Sequence, residues 1–274
     1  MTRIWQMGGA PWQLPPHGAV MGILNVTPDS FSDGGEHAAP AAALAHAVAL
    51  AEQGADIIDV GGESTRPGAC EVSPAEEAAR VLPVLRAIRR ELPRIRLSID
   101  TRHVEVARAA LGEGVDIVND ITGLRAPGMM QLCAQEDCGI VLMHMQGEPA
   151  TMQQNPQYAD VVAEVRSFFE RRVRAAQEAG IAPQRICLDP GLGFGKTAAH
   201  CMALLEHLAE LRIGGLPLMM ALSRKRFLKE YFAGFTEPQR TVEASLRAAA
   251  NGADIHRVHD VAALRRALDS FPRA

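Results

Sequence analysis

Eight polar residues of the chain each stand at the end of a short apolar run, and their types are those that bind small molecules. They are Asn25, Asp59, Asp100, Asn119, His144, Asp189, Ser223 and Arg257. Carboxylates and carboxamides offer hydrogen-bond acceptors and donors in one plane, which suits the polar edge of a flat heterocycle such as a pterin or guanine. The residues that suit this role are Asp100, Asn119, Asp189 and Lys225. A single polar residue after a strand is usually a loop cap, but eight in equivalent positions predict a binding site.

A second group of residues suits a polyanion. Arg257 and His259 lie in the segment RVHD, and Arg66 lies in ESTRPG. Arginine holds phosphate through two parallel hydrogen bonds. The carboxamide oxygen of Asn25 is a hard ligand of the kind that Mg2+ prefers, and Mg2+ accompanies diphosphates. These residues predict a diphosphate site with magnesium.

The segment DPGLGFGKT, residues 189–197, looks like a nucleotide phosphate loop but has the wrong spacing. A Walker motif needs a glycine at position 190, which is Pro190, and a dinucleotide fingerprint needs one at position 196, which is Lys196. The sequence also has no Ser-His-Asp order, and its nine histidines have no metal-ligand spacing. We therefore interpret the segment as a strand that ends at Asp189 and a glycine-rich turn that follows it.

Short runs rich in Ile, Val, Leu or Met predict the strands that must position these residues, and both faces of such strands are buried. The predicted strands are 19–25, 55–60, 95–100, 115–119, 139–144, 185–189, 216–222 and 253–258. Helical patterns lie between them, among them 40–53, 74–91, 102–113, 158–180 and 198–212. The pattern Gly-(Ala/Val)-Asp-Ile recurs where a helix leads into a strand, at Gly54, Gly114 and Gly252. Eight such units predict an α/β fold, a single (β/α)8 TIM barrel with the active site at the C-terminal ends of the strands; a doubly wound open sheet is the alternative.

Composition bounds the class of protein. The chain has 274 residues, is 47% hydrophobic and carries a formal charge of −4, which argues against nucleic acid or an anionic membrane as a partner. Its five cysteines form an odd set without a CxxC pair, which is typical of reduced thiols in a cytoplasmic protein. No apolar run is long enough to span a bilayer, and the N-terminus has no signal-peptide core. We expect a lead-in segment over residues 1–17 and one barrel domain over 18–274.

Together these motifs resemble dihydropteroate synthases, pterin-binding enzymes of folate biosynthesis. The resemblance covers about 240 residues in order. It runs through MGILNVTPDSFSDGG, GADIIDVGGESTRPGA, SIDT, NDITGL, VLMHMQGEPATMQ, DPGLGFGKT, SRKRFL and RVHDV. It implies a (β/α)8 barrel, a homodimer and a transferase that joins p-aminobenzoate to a dihydropterin-methyl diphosphate with release of pyrophosphate. It also implies Mg2+ as cofactor and sensitivity to sulfonamides, which imitate p-aminobenzoate.

The resemblance also implies roles for individual residues. The pterin is held by Asp100, Asn119, Met143, Asp189 and Lys225, and the diphosphate by Thr65, Arg257 and His259, with Asn25 for the metal. Phe31, Asp33, Arg66 and Pro67 lie in two loops that close over the site, and Phe194 and Ser223 border p-aminobenzoate. The catalytic residues are Asp33, Arg66, Asp100 and Lys225.

Two positions depart from the family pattern, and they leave other functions open. Ala221 stands where family members have glycine, and the segment 240–252 is shorter than usual, on a surface that the family uses for the dimer. The alternatives are a catalytically impaired pterin-binding paralogue and a pterin-barrel methyltransferase that acts on methyltetrahydrofolate. A paralogue would keep the pterin residues without turnover, and a methyltransferase would not need SRK, ESTRPG and MGILNVTPDSFSDGG together.

Overall fold

A computed structural model describes residues 3–27, 38–64, 71–149 and 151–271 of the chain. A short antiparallel hairpin comes first, formed by β1 (Ile4–Met7) and β2 (Ala10–Gln13). The strands of the main sheet follow: β3 (Ala19–Asn25), β4 (Ile57–Gly61), β5 (Arg96–Asp100), β6 (Ile117–Asp120), β7 (Gly139–Met143), β8 (Ile186–Asp189), β9 (Met219–Met220) and β10 (Ile255–Val258). Within the described residues these eight strands are parallel, in the order β8-β7-β6-β5-β4-β3-β10-β9.

The sheet closes on itself. Leu188 of β8 forms a parallel bridge with Leu218, next to β9, and the Leu188 N–H donates to the Pro217 carbonyl at 2.9 Å. This contact joins the two edges of the sheet, so the expectation of a (β/α)8 barrel is confirmed and the open doubly wound sheet is wrong.

Helices surround the barrel and cover the outer face of the strands. They are α1 (Ala38–Glu52), α2 (Pro74–Glu91), α3 (Val104–Gly112), α4 (Met129–Gln135), α5 (Val161–Glu178), α6 (Ala198–Glu206), α7 (Leu228–Tyr231), α8 (Glu237–Ala250) and α9 (Val261–Asp269). The large apolar core lies between strands and helices, and no described helix is long and apolar enough to cross a membrane.

Two predicted elements are shorter than expected. The helix predicted over 198–212 ends as α6 at Glu206, and a 3₁₀ turn follows at Leu208–Leu211. The 3₁₀ turn places side chains three apart on one face, which buries both Leu208 and Leu211. The strand predicted over 216–222 has only two residues, Met219–Met220, and before it the Leu218 N–H donates to the side chain of Asp254 at 2.9 Å.

The recurring Gly-(Ala/Val)-Asp-Ile pattern builds one local structure three times. Gly54, Gly114 and Gly252 have φ of +94°, +82° and +96°, a left-handed conformation that glycine adopts without strain. The aspartate two residues later accepts a backbone N–H of the neighbouring strand. The three bonds are Val20 N to Asp56 (2.8 Å), Leu97 N to Asp116 (2.8 Å) and Leu218 N to Asp254 (2.9 Å).

An arginine completes each of these joints. Arg265, Arg89 and Arg212 donate to the glycine carbonyl and also pair with the aspartate of the joints at Gly54, Gly114 and Gly252. We name these three structures the arginine brackets. They lie where strands begin, at the end of the barrel opposite the strand ends that carry the polar residues.

The N-terminal hairpin closes the same end of the barrel. Trp5 of β1 is fully buried and its indole N–H donates to the Arg185 carbonyl at 2.9 Å. Its apolar neighbours include Met21, Ile117 and Ile255, which point into the barrel. The lead-in segment is therefore packed on the barrel, while the domain boundary at residue 17 stays a prediction.

Candidate active site

The strand ends bring the predicted polar residues to one end of the barrel. In the register of the sheet, Asp100 of β5 stands opposite Gly61 of β4 and Asn119 of β6, and Met143 of β7 stands opposite Asp189 of β8. Asn119 and Asp189 are buried, and Asp100 is 16% exposed. The C-terminal ends of parallel strands thus collect carboxylates and a carboxamide that lie up to 89 positions apart in the chain.

Arg257 joins two of these carboxylates. Its Nε donates to Asp59 Oδ2 at 2.6 Å, and its Nη2 donates to Asp100 Oδ2 at 2.7 Å. Asn119 also donates to Asp59 Oδ2, at 3.1 Å, whereas the buried Asp59 Oδ1 has no hydrogen-bond partner within the described part of the chain. One guanidinium between two carboxylates leaves an excess of negative charge.

That excess charge shows in the titration of Asp100. Burial raises the pKa of the Asp100 carboxyl to about 7; Arg257 opposes the rise and the like charge of Asp59 adds to it. For Arg257, burial lowers the pKa but Asp59 and Asp100 outweigh it, so the net shift is upward and the guanidinium stays charged. The Asp100 carboxyl can therefore change charge near neutral pH beside a permanent cation.

The other half of the site is built by the turn after β8. Asp189 Oδ1 accepts the Gly191 N–H at 2.7 Å, and burial raises the pKa of Asp189 while this bond and the charge of Lys225 oppose it. Lys225 Nζ lies 4.6 Å from the centre of the Phe194 ring, and burial lowers the pKa of Lys225. Phe194 packs on a small apolar cluster that contains Met143. A flat ligand on Asp189 would thus lie between an apolar floor and an ammonium group.

Ser223 and His259 are hydrogen-bonded to each other. The Ser223 Oγ lies 2.8 Å from His259 Nδ1, and the His259 backbone N–H donates to the same oxygen at 3.3 Å. The serine thereby fixes the orientation of the imidazole next to β10.

Comparison with known proteins identifies the family. Pterin binding enzymes match residues 21–259 of the chain. A dihydropteroate synthase of Neisseria meningitidis serogroup C is 48% identical over 276 residues, which span 98% of this chain and 96% of that protein. The chain belongs to the dihydropteroate synthase family of pterin-binding enzymes.

Solved structures of this family have the same fold. A dihydropteroate synthase of Xanthomonas albilineans with 4-aminobenzoic acid has a TM-score of 0.89 and 45% identity, and the match covers 98% of this chain and 97% of that one. The enzyme of Burkholderia cenocepacia complexed with 7,8-dihydropteroate has a TM-score of 0.87 and 42% identity, with 98% and 95% covered. These relatives do not favour the methyltransferase or the impaired paralogue.

Several residues expected from the family pattern lie outside the described residues. They are Phe31, Asp33, Thr65, Arg66 and Pro67. The other predicted site residues, from Asn25 to His259, lie at the strand ends or in the turns that follow them, as Phe194 and Lys225 do. Their individual roles stay predictions, as does the role of Asn25 toward a metal.

One group beside the site was not anticipated from the sequence. Oxygen or nitrogen atoms of Glu63, Glu77 and His103 lie within 4.8 Å of one another, as metal ligands do. The group is already bonded, however. Arg102 holds both oxygens of Glu63 at 3.0 Å, and Glu77 Oε2 lies 2.8 Å from His103 Nδ1 and accepts Thr101 Oγ1 at 2.9 Å. We therefore describe the group as an ion-pair network beside the site. The spacing of its members in the sequence gives no indication of this network.

Proposed function

We infer that this chain is a dihydropteroate synthase that condenses p-aminobenzoate with (7,8-dihydropterin-6-yl)methyl diphosphate to give 7,8-dihydropteroate and pyrophosphate. The observation that carries this function is the set of Asp100, Asn119, Asp189 and Lys225 at the strand ends. They lie in a fold that matches a relative solved with 4-aminobenzoic acid and another solved with 7,8-dihydropteroate. Both substrates of this reaction are small molecules.

The buried carboxylate and carboxamide would hold the pterin. Asp189 and Asn119 can accept from and donate to the amino-pyrimidinone edge in one plane. Losing one charged hydrogen bond of this kind costs about 1.5–3 kcal/mol. Phe194 would form one wall of the p-aminobenzoate subsite, with Ser223 at its border.

The reaction breaks the bond between the pterin methylene and the diphosphate oxygen and forms a bond from the methylene to the aniline nitrogen, which then loses a proton. An aniline is a weak nucleophile, so departure of pyrophosphate runs ahead of attack and positive charge develops on the pterin. An ionised Asp100 at about 4 Å would stabilise that charge by about 4 kcal/mol at an effective dielectric near 20. We propose that Asp33 and Arg66 shield the cation from water.

Arg257 can hold the diphosphate without releasing its carboxylate partners. Guanidinium has five N–H donors, and the bonds to Asp59 and Asp100 use two of them. The remaining N–H groups can reach an anion, and His259, oriented by Ser223, would serve the same leaving group.

We also propose Mg2+ as the cofactor. The Asn25 carboxamide stands at the end of β3, and its oxygen is a hard donor. One protein oxygen together with substrate phosphate oxygens is a usual ligand set for Mg2+. When bound, the ion would neutralise charge on the leaving diphosphate.

A pyrophosphate-release assay tests the function. We expect release when the pterin diphosphate, p-aminobenzoate and Mg2+ are present, and its loss when p-aminobenzoate is omitted or EDTA is in excess. Asp189→Asn should weaken binding of a pterin analogue in calorimetric titration, whereas Lys229→Met, at an exposed position, should not. Release at the same rate without p-aminobenzoate would contradict a synthase.

Assembly and location follow the same family pattern. We propose a homodimer that uses the surface of α8, with Phe235, 40% exposed, directly before it. The free and buried Cys133, Cys138, Cys187 and Cys201 are consistent with the cytoplasm, and we keep the prediction of sulfonamide binding. Analytical ultracentrifugation would test the dimer.

A further inference from the structure

Lys196, the lysine of the GKT tripeptide, is buried and its ammonium contacts main-chain carbonyls. It is 3% exposed. Its Nζ lies 3.0 Å from the Gly191 carbonyl oxygen, 3.0 Å from that of Phe194, 3.3 Å from that of His144 and 2.9 Å from His144 Nδ1. Within the described residues no carboxylate forms an ion pair with it. The ammonium is therefore surrounded by main-chain oxygens and one imidazole.

These contacts place the ammonium inside the turn of residues 189–196, where it binds carbonyl oxygens of the turn itself. The Gly191 carbonyl that Lys196 binds also accepts the Phe194 N–H at 3.0 Å. The Gly195 carbonyl accepts Tyr158 Oη at 2.9 Å, and Gln153 donates to the Gly193 carbonyl. The turn is thus held from inside by one cation and from outside by two side chains.

The choice of lysine fits this surrounding. The chain has 25 arginines and 3 lysines. An ammonium carries three N–H donors around one atom, which suits carbonyls that converge from different directions, whereas the flat guanidinium fork suits carboxylates and phosphates. The three N–H groups of the ammonium are shared among the three carbonyls and the imidazole, whereas the N–H groups of a guanidinium are spread over three nitrogens in one plane and a neutral amine has only two.

We propose that Lys196 is a positioning residue of this site: its ammonium gathers the carbonyls of His144, Gly191 and Phe194 and so holds Asp189 and Phe194 where they face the ligands. The proposal rests on the proposed function, since it assigns the pterin to Asp189 and p-aminobenzoate to Phe194. Lys196 acts through the backbone of the turn and touches no reacting atom.

The proposal makes p-aminobenzoate binding depend on pH. Burial lowers the pKa of Lys196 to about 7; the groups that face it are Asp189 and Cys201, which oppose this, and Lys225, which adds to it. Burial lowers the pKa of His144 to about 2, so this imidazole stays a neutral acceptor. Above pH 7 the neutral amine has two N–H donors in place of three for its four acceptors, so the turn is held less tightly and the KM for p-aminobenzoate should rise.

Stability should change in the opposite direction. Between pH 7 and about 10.5 the unfolded chain holds a proton on Lys196 that the folded chain has released, so this group raises the free energy of unfolding with pH. If Lys196 only stabilised the fold, a rise in pH that increases the free energy of unfolding would not also weaken the binding of p-aminobenzoate. Asp100 also titrates near pH 7, but Asp100→Asn should keep the pH dependence of the p-aminobenzoate KM.

Nuclear magnetic resonance of the wild-type protein with 13Cε-lysine reads the titration directly, because the chain has only three lysines. Lys196→Met and Lys229→Met assign the signals, and Lys225 is the third. We expect the Lys196 signal to titrate with a midpoint near pH 7 and the p-aminobenzoate KM to rise at least threefold between pH 6 and 8.5. A Lys196 midpoint above pH 9, or a flat KM, would overturn the proposal.

Substitution gives an independent test. In Lys196→Met and Lys196→Arg the KM for p-aminobenzoate should rise at least tenfold with kcat changed less than threefold, and the exposed Lys229→Met should match the wild type. KM values within twofold of wild type would refute the role. If the wild type releases no pyrophosphate, the proposed function fails. The role of Lys196 is then decided by hydrogen exchange at Gly193 and Phe194, which Lys196→Met should accelerate and Lys229→Met should not.

Discussion

Gly191 and Gly193 offer a matched pair of substitutions in the turn after β8. Both have positive φ, +64° and +82°. A Cβ on Gly191 would overlap the carbonyl oxygen of His144, far inside the 3.0 Å that real Cβ contacts keep, and would lie 3.2 Å from Met143 Cγ. A Cβ on Gly193 would meet only Lys225, at 3.7 Å. Alanine at the two positions therefore differs in steric overlap and shares the same backbone strain.

The expected loss of stability follows from the contacts that an alanine at each position would disturb. Alanine in the left-handed region costs about 1–2 kcal/mol at either position. At Gly191 the His144 backbone must also shift, although its N–H donates to the Asp189 carbonyl at 2.9 Å and its carbonyl accepts from Lys196. Weakening two hydrogen bonds at about 1 kcal/mol each and overpacking at about 1–3 kcal/mol gives a total of about 4 kcal/mol or more for Gly191→Ala.

Thermal unfolding followed by circular dichroism measures this difference. One kcal/mol corresponds to about 2–4 °C for a chain of this size class, so we expect Gly191→Ala to lower the Tm by about 8 °C or more and Gly193→Ala by about half of that or less. Pterin-analogue affinity should fall with Gly191→Ala because Asp189 is displaced. Equal Tm values for the two variants would refute the steric reasoning.

Three further predictions concern charge and pH. Asp100→Asn should lower kcat and abolish the rise of kcat through pH 7 that we expect ionisation of the Asp100 carboxyl to give the wild type; an unchanged kcat profile would contradict this. Asp116→Ala and Asp254→Ala should each lower the free energy of unfolding by about 1–3 kcal/mol in urea, and the double variant should lose the sum, because the two brackets are separate. Burial lowers the pKa of His256 to about 4, so between pH 6.5 and 4 the unfolded chain binds a proton on this residue that the folded chain does not. The free energy of unfolding should therefore fall by about 3 kcal/mol as the pH is lowered through this range, and the fall should be smaller in His256→Gln.

The barrel could be predicted from the sequence because its strands are buried on both faces. A strand such as β7 is apolar at every position, so its run stands out without any alternation. The bounds of β9 could not be found this way, since the apolar run 216–222 is longer than the two residues Met219–Met220 that pair in the sheet. The packing of Trp5 under the barrel was also beyond the sequence, because nothing in residues 1–17 indicates where the hairpin docks.

The residues of the candidate site could be predicted from the sequence, but the ion pairs between them could not. Parallel strands bring their ends together, so Asp100, Asn119 and Asp189 could be grouped from strand boundaries alone. The ion pairs of Arg257 with Asp59 and Asp100 join residues 198 and 157 positions apart, and only the closed barrel makes them neighbours. Lys196 was misleading for a related reason: Gly-Lys-Thr is common to phosphate loops, and the carbonyls that bind this lysine come from two different segments.

The arginine brackets stabilise the fold at the end of the barrel opposite the proposed active site. Arg89, Arg212 and Arg265 bind backbone and aspartate there and do not contact the ligand-facing side chains. Replacements of Phe194 or Ser223 leave these brackets intact, so we expect the folded fraction of the protein to stay high in such variants. Variants at the proposed p-aminobenzoate subsite should then differ in binding and turnover more than in their folded fraction.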